Sequence, residues 1–243
     1  MVELTENPKS EAHWISFPDR QSASAAAASL AASSLSAAVA ERGTAVFLSS
    51  GGSTPADMLE MLSHQMLPWS DVTIGLVDDR FVQPDHPASN EGLLRRHLFQ
   101  GSAVSAAFEP LWTPDRPIEY AAKDAASRYA PLVPSDFVLL GMGSDGHTAS
   151  WFPGAKNLKD AIDVSADRVV AIDASGCRVA GDHALRLTLS APAIAATKHA
   201  VLLIFGDEKK AVFESAMNLS VEKAPVRAAV ESLKSKLIIA WAP

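Results

Sequence analysis

The sequence has a single cysteine, Cys177, among its 243 residues. One cysteine cannot form an intramolecular disulfide, and it cannot supply the several thiolates of a cysteine metal cage. The first dozen residues are polar and of mixed charge, which is not the basic start and apolar run of a secretory signal. We therefore expect a cytoplasmic protein with no disulfide framework.

Positive charge is also scarce. Lysine and arginine number 21 against 28 aspartates and glutamates, which gives a formal net charge of −7 and an isoelectric point near 5.5. This balance disfavours bulk attraction to nucleic acid or to an anionic membrane, so we expect neither as a partner. A few well-placed cations and backbone amides can still bind a small anionic substrate.

Long runs of large apolar residues are absent, but residues 21–40 carry no charge and match a bilayer in length. The segment consists mainly of alanine and serine, with Leu30, Leu35 and Val39 as its larger apolar residues. This composition is too weakly hydrophobic for insertion and favours helix formation. We expect a helix packed closely on a sheet.

Short β-rich runs alternate with helical stretches along the whole chain, which is typical of βαβ units and a parallel sheet. Strands are predicted at residues 13–17, 45–48, 72–77, 137–140, 169–172, 185–189, 201–205 and 237–241. Helices are predicted at residues 22–40, 55–65, 90–99, 118–129, 208–217 and 226–233. We predict a Rossmann-like α/β fold, mostly parallel, with helices on both faces and a single domain over residues 1–243.

The segment SSGGSTP, residues 49–55, connects a predicted strand to a predicted helix. Gly51 and Gly52 allow close approach of a ligand, Ser53 and Thr54 supply hydroxyl groups, and amides at a helix N-terminus favour phosphate. The alternative is a tight turn in which a hydroxyl only caps the helix. Because the segment lacks the Walker spacing, binding of a nucleoside triphosphate is disfavoured.

The segment GMGSDG, residues 141–146, formally matches the dinucleotide-binding pattern G-x-G-x-x-G. Pro153 and Gly154 follow too soon for the helix that such a site needs, so a dinucleotide site is disfavoured. Asp145 and His147 lie after a predicted central strand, where an imidazole oriented by a carboxylate can act as a general base. A loop histidine bonded to its own turn is the alternative.

Further charged residues follow other predicted strands. Arg80 can pair with Asp78 or Asp79, or it can face a ligand oxyanion. Arg186 and Lys209, taken singly, fit solvated charges, but together with the glycine-rich turn they can form a compact pocket for a sugar phosphate.

Metal and nucleophile patterns are weak in this sequence. Ser150 lacks the G-x-S-x-G elbow, and Cys177 has no paired motif. No metal-ligand spacing is found among the remaining histidines, which are His13, His64, His86, His97, His183 and His199. We expect neither a metal nor a cofactor.

Four segments in order resemble the 6-phosphogluconolactonases over roughly residues 20–220. These are SSGGSTP, VDDRFVQPDHPASN, GMGSDGHTASWFPG, and LRLTL followed by FGDEK. The resemblance implies a cytoplasmic esterase that opens 6-phosphoglucono-δ-lactone to 6-phosphogluconate, in the oxidative pentose phosphate pathway. Glucosamine-6-phosphate deaminases share this fold and turn, but they have Asp-Glu-Tyr where this chain has Asp78, Asp79 and Arg80. They also carry a glutamate shortly after the histidine, whereas residues 148–153 include no carboxylate.

The resemblance also implies roles for individual residues. His147 would activate the attacking water, Asp145 would orient His147, and Arg80 would stabilise charge on the substrate. The remaining contacts to the substrate and its phosphate would come from Gly51, Gly52, Ser53, Thr54, Asp78, Asn90, Arg186 and Lys209. Asp79 stands where the family usually has glutamate, and Trp151 where leucine is common, so the fine geometry is expected to differ.

Several alternatives remain open at this stage. One is a deaminase or isomerase of the same fold, and another is a non-catalytic sugar-phosphate sensor. The sequence does not decide between Lys209 and Lys210 as the phosphate contact, or between γ and δ lactones. The expected partner is a small phosphorylated sugar lactone, bound by a monomer or small homo-oligomer.

Overall fold

The computed structural model describes residues 3–6 and 11–243 of the chain, with side chains from residue 11 onward. Its strands are β1 (Glu3–Glu6), β2 (His13–Ser16), β3 (Ala45–Ser49), β4 (Val72–Leu76), β5 (Asp78–Arg80), β6 (Ala107–Glu109), β7 (Phe137–Gly141), β8 (Val169–Asp173), β9 (Leu185–Leu189), β10 (His199–Phe205) and β11 (Leu237–Ala242).

Its helices are α1 (Arg20–Arg42), α2 (Ala56–Ser63), α3 (Asn90–His97), α4 (Ile118–Arg128), α5 (Leu158–Ile162), α6 (Ala191–Ala195), α7 (Asp207–Ala216) and α8 (Val226–Leu233), with short 3-10 turns between some of them.

Eight strands form the central sheet in the order β1-β2-β11-β10-β7-β3-β4-β6. All neighbours in this sheet are parallel except β1 and β2. In β10, every residue from Ala200 to Ile204 is buried, and such a continuous buried run requires cover on both sides of the sheet. The predicted Rossmann-like α/β fold is confirmed.

The uncharged segment near the N-terminus forms α1, which begins after the N-cap residue Asp19 and ends before Gly43 in a left-handed conformation. By length and composition alone this helix could cross a membrane. It packs instead against α2 and against four strands of the sheet, β3, β7, β10 and β11. Ala23, Ala27 and Ala31 recur every fourth residue on its buried face, which allows the close approach expected of a core helix.

Two predicted strands belong to a different sheet. Residues 169–172 and 185–189 lie in β8 and β9, which pair antiparallel with each other, and β9 also pairs antiparallel with β5. Their apolar runs resemble those of the parallel strands, because this small sheet is buried as well. Both strands are present where they were predicted, and they form a second sheet that the sequence did not predict.

The strand order places the candidate site. Strands β3 and β7 are neighbours in the middle of the sheet. After β3 the chain forms β4, on the far side of β3 from β7, whereas the later strands β10 and β11 lie on the far side of β7 from β3. Loops after β3 and β7 therefore diverge at the carboxyl edge and leave a crevice, the usual ligand position in an open α/β sheet.

Candidate active site

A cavity of about 190 Å³ opens at this crevice. Its walls come from the loops after β3 and β7, from strands β5 and β9, and from the starts of helices α3 and α7. The lining residues are Ser50, Gly51, Gly52, Ser53, Thr54, Asp78, Arg80, Asn90, Gly141, Met142, Gly143, His147, Ala149, Arg186 and Lys209. All the predicted site residues line it except Asp145, which bonds to His147.

The glycine-rich turn presents unused donors to this cavity. Within the described chain, the amides of Gly51, Gly52, Ser53 and Thr54 donate no hydrogen bond to protein. Helix α2 begins next to them without any side-chain cap, so the interpretation of these hydroxyls as mere caps was wrong. Free amides beside a helix N-terminus favour an anion.

The turn needs glycine at position 51 for a steric reason. A Cβ there would lie 2.0 Å from Oδ1 of Asn90, so no side chain fits. Gly52 has φ +96°, a left-handed conformation that favours glycine. The two glycines thus allow the turn to pass close to the start of α3.

Arg80 and Arg186 face each other across the small antiparallel sheet, where they are register partners of β5 and β9. Side chains at such opposed positions project from the same face, and like charges there repel. Within the described residues, no carboxylate lies within ion-pairing distance of either guanidinium. The predicted alternative of a structural pair between Arg80 and Asp78 or Asp79 was therefore wrong.

Main-chain carbonyls hold both arginines instead. Nη1 of Arg80 donates to the carbonyl of Ala88, and its Nε is buried without a partner in the described chain. Nε of Arg186 donates to the carbonyl of His183 at 2.6 Å, and Nη2 donates to that of Ala180 at 2.8 Å. Carbonyls fix a guanidinium without neutralising it, so both cations remain available to an anion.

Burial affects the cations to different degrees. It lowers the pKa of Arg186 to about 10, which leaves the group charged at neutral pH. Burial, followed by the nearby charge of Arg20, also lowers the pKa of the half-buried Lys209. Lys210 points elsewhere, because its Nζ lies 4.4 Å from the ring centroid of Trp241. The geometry thus places Lys209, rather than Lys210, at the cavity.

His147 and Asp145 form a close pair beside the cations. Nδ1 of His147 lies 2.5 Å from Oδ1 of Asp145, which also accepts the His147 amide at 3.1 Å. Burial alone would raise the pKa of Asp145, but the hydrogen bonds and charge of His147 outweigh burial and lower it. The Asp145 carboxylate accepts a hydrogen bond from the Nδ1–H group, so the lone pair of the imidazole lies on Nε2, which has no partner among the described residues.

The imidazole is closely confined. A Cβ on Gly143 would lie 2.1 Å from Cε1 of His147, so only glycine fits beneath the ring. The Phe152 ring packs against His147 at a centroid distance of 4.4 Å. Ala149, which lies between His147 and Phe152 in the sequence, has φ +51°, an unusual conformation for alanine. Backbone strain is therefore concentrated in the loop that contains His147.

Asp78 contributes a buried carboxylate to the cavity wall. Its Oδ2 accepts a hydrogen bond from the hydroxyl of Ser150 at 2.6 Å, and its carbonyl accepts one from the Asn90 side chain at 2.7 Å. Ser150 is thus a hydrogen-bond partner of Asp78. Asn90 links the glycine-rich turn to strand β5.

Asp79 does not reach the cavity but organises its rim. Its carboxylate accepts the amides of Arg80, Asn90 and Glu91 and the hydroxyl of Ser89, at 2.7 to 3.2 Å. It therefore ties the end of β5 to the N-terminus of α3. Asp79 is 2% exposed, and this burial raises its pKa to about 6, although the hydrogen bonds from the backbone amides act to lower the pKa.

The tryptophan that replaces the common leucine has a clear anchor. Trp151 is fully buried, and its Nε1 donates to the carbonyl of Leu189 at 2.9 Å. It therefore joins the His147 loop to the end of β9, a link that leucine could not make.

The dinucleotide alternative is not supported by this loop. After residues 141–146 the chain turns back on itself, with Gly143 donating its amide to the carbonyl of His147. In the described chain no helix begins until α5 at Leu158. Among the residues the structure describes, no cluster of three or more His, Cys, Asp or Glu side chains could hold a metal ion.

Sequence reasoning did not assign a role in the site to several residues that line or support the cavity, among them Ser50, Gly143, Ser150 and Phe152. Gly143 was noted only as part of the G-x-G-x-x-G pattern. Ser50 lies directly before Gly51 and Gly52, which the sequence analysis did identify. Ser150 and Phe152 have no local signal, because their importance depends on contacts with Asp78 and His147 that only the fold creates.

Comparison with known proteins agrees with this geometry. A family model described as glucosamine-6-phosphate isomerases/6-phosphogluconolactonase matches residues 18–239. A 6-phosphogluconolactonase of Mesorhizobium japonicum is 40% identical, with 95% of each chain covered. One from Rhizobium meliloti is 42% identical, covering 86% of this chain and 89% of its own.

Solved structures give the same result. The crystal structure of a 6-phosphogluconolactonase from Shewanella baltica superimposes with a TM-score of 0.88 at 37% identity, covering 95% of this chain and 97% of its own. A monomeric glucosamine-6-phosphate deaminase, at 21% identity and a TM-score of 0.75, shares the fold; it covers 94% of this chain and 96% of its own. This chain belongs to the glucosamine-6-phosphate isomerase/6-phosphogluconolactonase family.

Proposed function

We propose that the chain hydrolyses 6-phosphoglucono-δ-lactone to 6-phosphogluconate, with His147 as the general base. The observation that carries this proposal is the His147–Asp145 pair in a cavity that also holds free amides and unneutralised cations. The curated relatives cited above are named for this activity. In this proposal the reaction is the second step of the oxidative pentose phosphate pathway.

The chemistry follows from the arrangement of donors. Nε2 of His147 takes a proton from water, and the resulting hydroxide attacks the lactone carbonyl carbon. Arg80, whose buried Nε has no partner among the described residues, stabilises the negative charge on the carbonyl oxygen. The intermediate collapses, the ester bond breaks, and the departing ring oxygen takes from His147 the proton that His147 had removed from water. No covalent intermediate is required.

The phosphate occupies the other part of the cavity in this proposal. The free amides of residues 51–54, the hydroxyls of Ser53 and Thr54, Arg186 and Lys209 hold its oxygens. Asp78 and Asn90 remain for the sugar hydroxyls. Holding the substrate at both ends aligns the carbonyl with the activated water.

A deaminase needs a second acid–base group beside the histidine, and the residue packed on His147 is Phe152. A pure sensor would have no use for the His147–Asp145 pair. We further propose that this soluble chain works in the cytoplasm, as a monomer or small homo-oligomer.

The test compares two substrates at equal enzyme concentration. Lactone is generated in situ by oxidation of glucose 6-phosphate, and the enzyme is expected to release acid from it much faster than spontaneous hydrolysis does. From glucosamine 6-phosphate the enzyme is expected to release no ammonia. Ammonia release that equals or exceeds lactone hydrolysis would overturn the proposed function.

A further inference from the structure

Phe152 has an unusual position between two functional groups. Its ring is 2% exposed, and it contacts the imidazole of His147 at a centroid distance of 4.4 Å and an interplanar angle of 38°. The guanidinium carbon of Arg186 lies 5.3 Å from the centroid of the same ring. One aromatic side chain therefore contacts both the proposed base and a proposed phosphate cation.

These contacts suit groups that carry positive charge. The face of an aromatic ring attracts cations, more strongly where water is excluded. Arg186 is charged at neutral pH, and His147 becomes charged when it accepts the proton of water. The remaining restraints on His147 are Asp145 at Nδ1 and Gly143 next to Cε1, and neither limits movement of Arg186.

We infer that Phe152 is a positioning residue that holds His147 and Arg186 in one arrangement, so that proton transfer and phosphate binding depend on the same ring. This inference rests on the proposed function and deepens it. It also gives a physical role to Phe152, the apolar side chain that packs on His147 where a deaminase would need a second acid–base group.

The central experiment replaces Phe152 by leucine, which keeps apolar volume and removes the ring. We expect kcat to fall about 10- to 100-fold from misplacement of the base, and KM to rise roughly 2- to 30-fold from loss of the cation contact. Phe152→Tyr keeps the aromatic ring, so its kcat and KM are expected to stay close to those of the wild type. If Phe152→Leu does not fold, Phe152→Met takes its place with the same expectations.

The chain offers a matched control in Phe108. The Phe108 ring packs against the Phe99 ring at a centroid distance of 5.5 Å. The guanidinium carbon of Arg95 lies 5.2 Å from the centroid of the Phe108 ring. It does not line the cavity. Phe108→Leu therefore removes an equivalent cluster, and its kcat and KM are expected to match those of the wild type.

Double variants separate positioning from a general loss of structure. In an Arg186→Ala background, Phe152→Leu should raise KM no further, and in a His147→Ala background it should lower kcat no further. Replacing Phe152 by 3,4,5-trifluorophenylalanine keeps the ring shape but weakens its attraction for cations, so KM should rise while kcat changes less.

The outcomes distinguish the two proposals. Wild-type protein without lactonase activity would refute the proposed function. An active wild type whose kcat and KM survive Phe152→Leu, or a Phe152→Leu effect that is unchanged in both double variants, would overturn the inference about Phe152.

Discussion

At the scale of single residues, two adjacent lysines allow a sharp test of the phosphate site. Lys209 lines the cavity, whereas Lys210 lies over Trp241. Lys209→Ala is expected to weaken substrate binding by about 1.5 kcal/mol, or tenfold in KM, because one charge-assisted hydrogen bond is lost.

The matched control is Lys210→Ala, which removes the same charge one position later and should leave KM unchanged. Steady-state kinetics of both variants measures this. Equal effects would mean that the phosphate does not meet Lys209 directly.

Arg186 is a less clean target for the same test. Its guanidinium holds the carbonyls of Ala180 and His183 as well as facing the cavity, so removing it leaves two buried acceptors unsatisfied. Arg186→Ala is therefore suited to the double variants described above rather than to a measurement of phosphate affinity.

The base gives the second test at this scale. His147→Ala is expected to lower kcat by a factor of about 10² to 10⁴, the usual contribution of a general base, with little change in affinity for 6-phosphogluconate. A turnover number unchanged after correction for spontaneous hydrolysis would remove His147 from the mechanism.

How far the sequence predicts single residues depends on whether the signal is local. The glycines, His147 and Asp145 stand in short motifs at strand ends and could be found without a structure. The opposition of Arg80 and Arg186 could not, because it arises from pairing of β5 with β9 across about a hundred residues of chain. The same holds for Phe152, whose two partners come from separate segments.

At the scale of elements, helix α3 depends on an acid outside it. Asp79 accepts the amides of Asn90 and Glu91 at the start of this helix and that of Arg80 at the end of β5. Asp79→Ala is expected to lower the free energy of unfolding by about 2 kcal/mol, because buried donors lose their acceptor. It should also lower kcat/KM, since the start of α3 places Asn90 against Gly51.

Asp19 serves as the control for this prediction, because its carboxylate caps α1 at the surface through the amide of Ser22. Asp19→Ala should cause a smaller loss of stability and no change in kcat/KM. Urea unfolding and kinetics of both variants provide the comparison, and equal behaviour of the two would show that the Asp79 contacts have no special role.

Element boundaries were predicted well where periodicity was strong. Helix α8 was predicted at its observed limits, and α1 within two residues at each end. Strands β1, β5 and β6 and helices α5 and α6 were missed because three to five residues show no periodicity. Whether a buried apolar run joins the parallel or the antiparallel sheet depends on distant partners, so the sequence did not predict the separate sheet of β5, β8 and β9.

At the scale of the whole molecule, Asp79 also makes stability depend on pH. Its pKa in the folded protein is about 6, above the ordinary 3.8, so the folded state binds an extra proton between these values. This group therefore adds stability in acid that is lost as pH rises through about 6. Relative to Asp79→Asn, the wild type should gain on the order of 2 kcal/mol in unfolding free energy between pH 7 and pH 4.5.

Asp19 provides a comparison of opposite sign. Hydrogen bonds from Ser22 lower the pKa of Asp19, so its contribution is present at neutral pH and is lost as the pH falls below about 4. Urea unfolding across this range, with Asp79→Asn and Asp19→Asn, checks both directions. Parallel curves for the wild type and Asp79→Asn would contradict the prediction.

The two arginines that face each other across the small sheet have a practical consequence for anyone who handles the protein. Repulsion between them is relieved by any dianion that settles between them, so phosphate or sulfate in a buffer should raise the melting temperature, by preferential binding to the folded state. The same ions would compete with substrate and inflate the apparent KM. Kinetic constants measured in phosphate buffer would therefore describe a partly occupied enzyme.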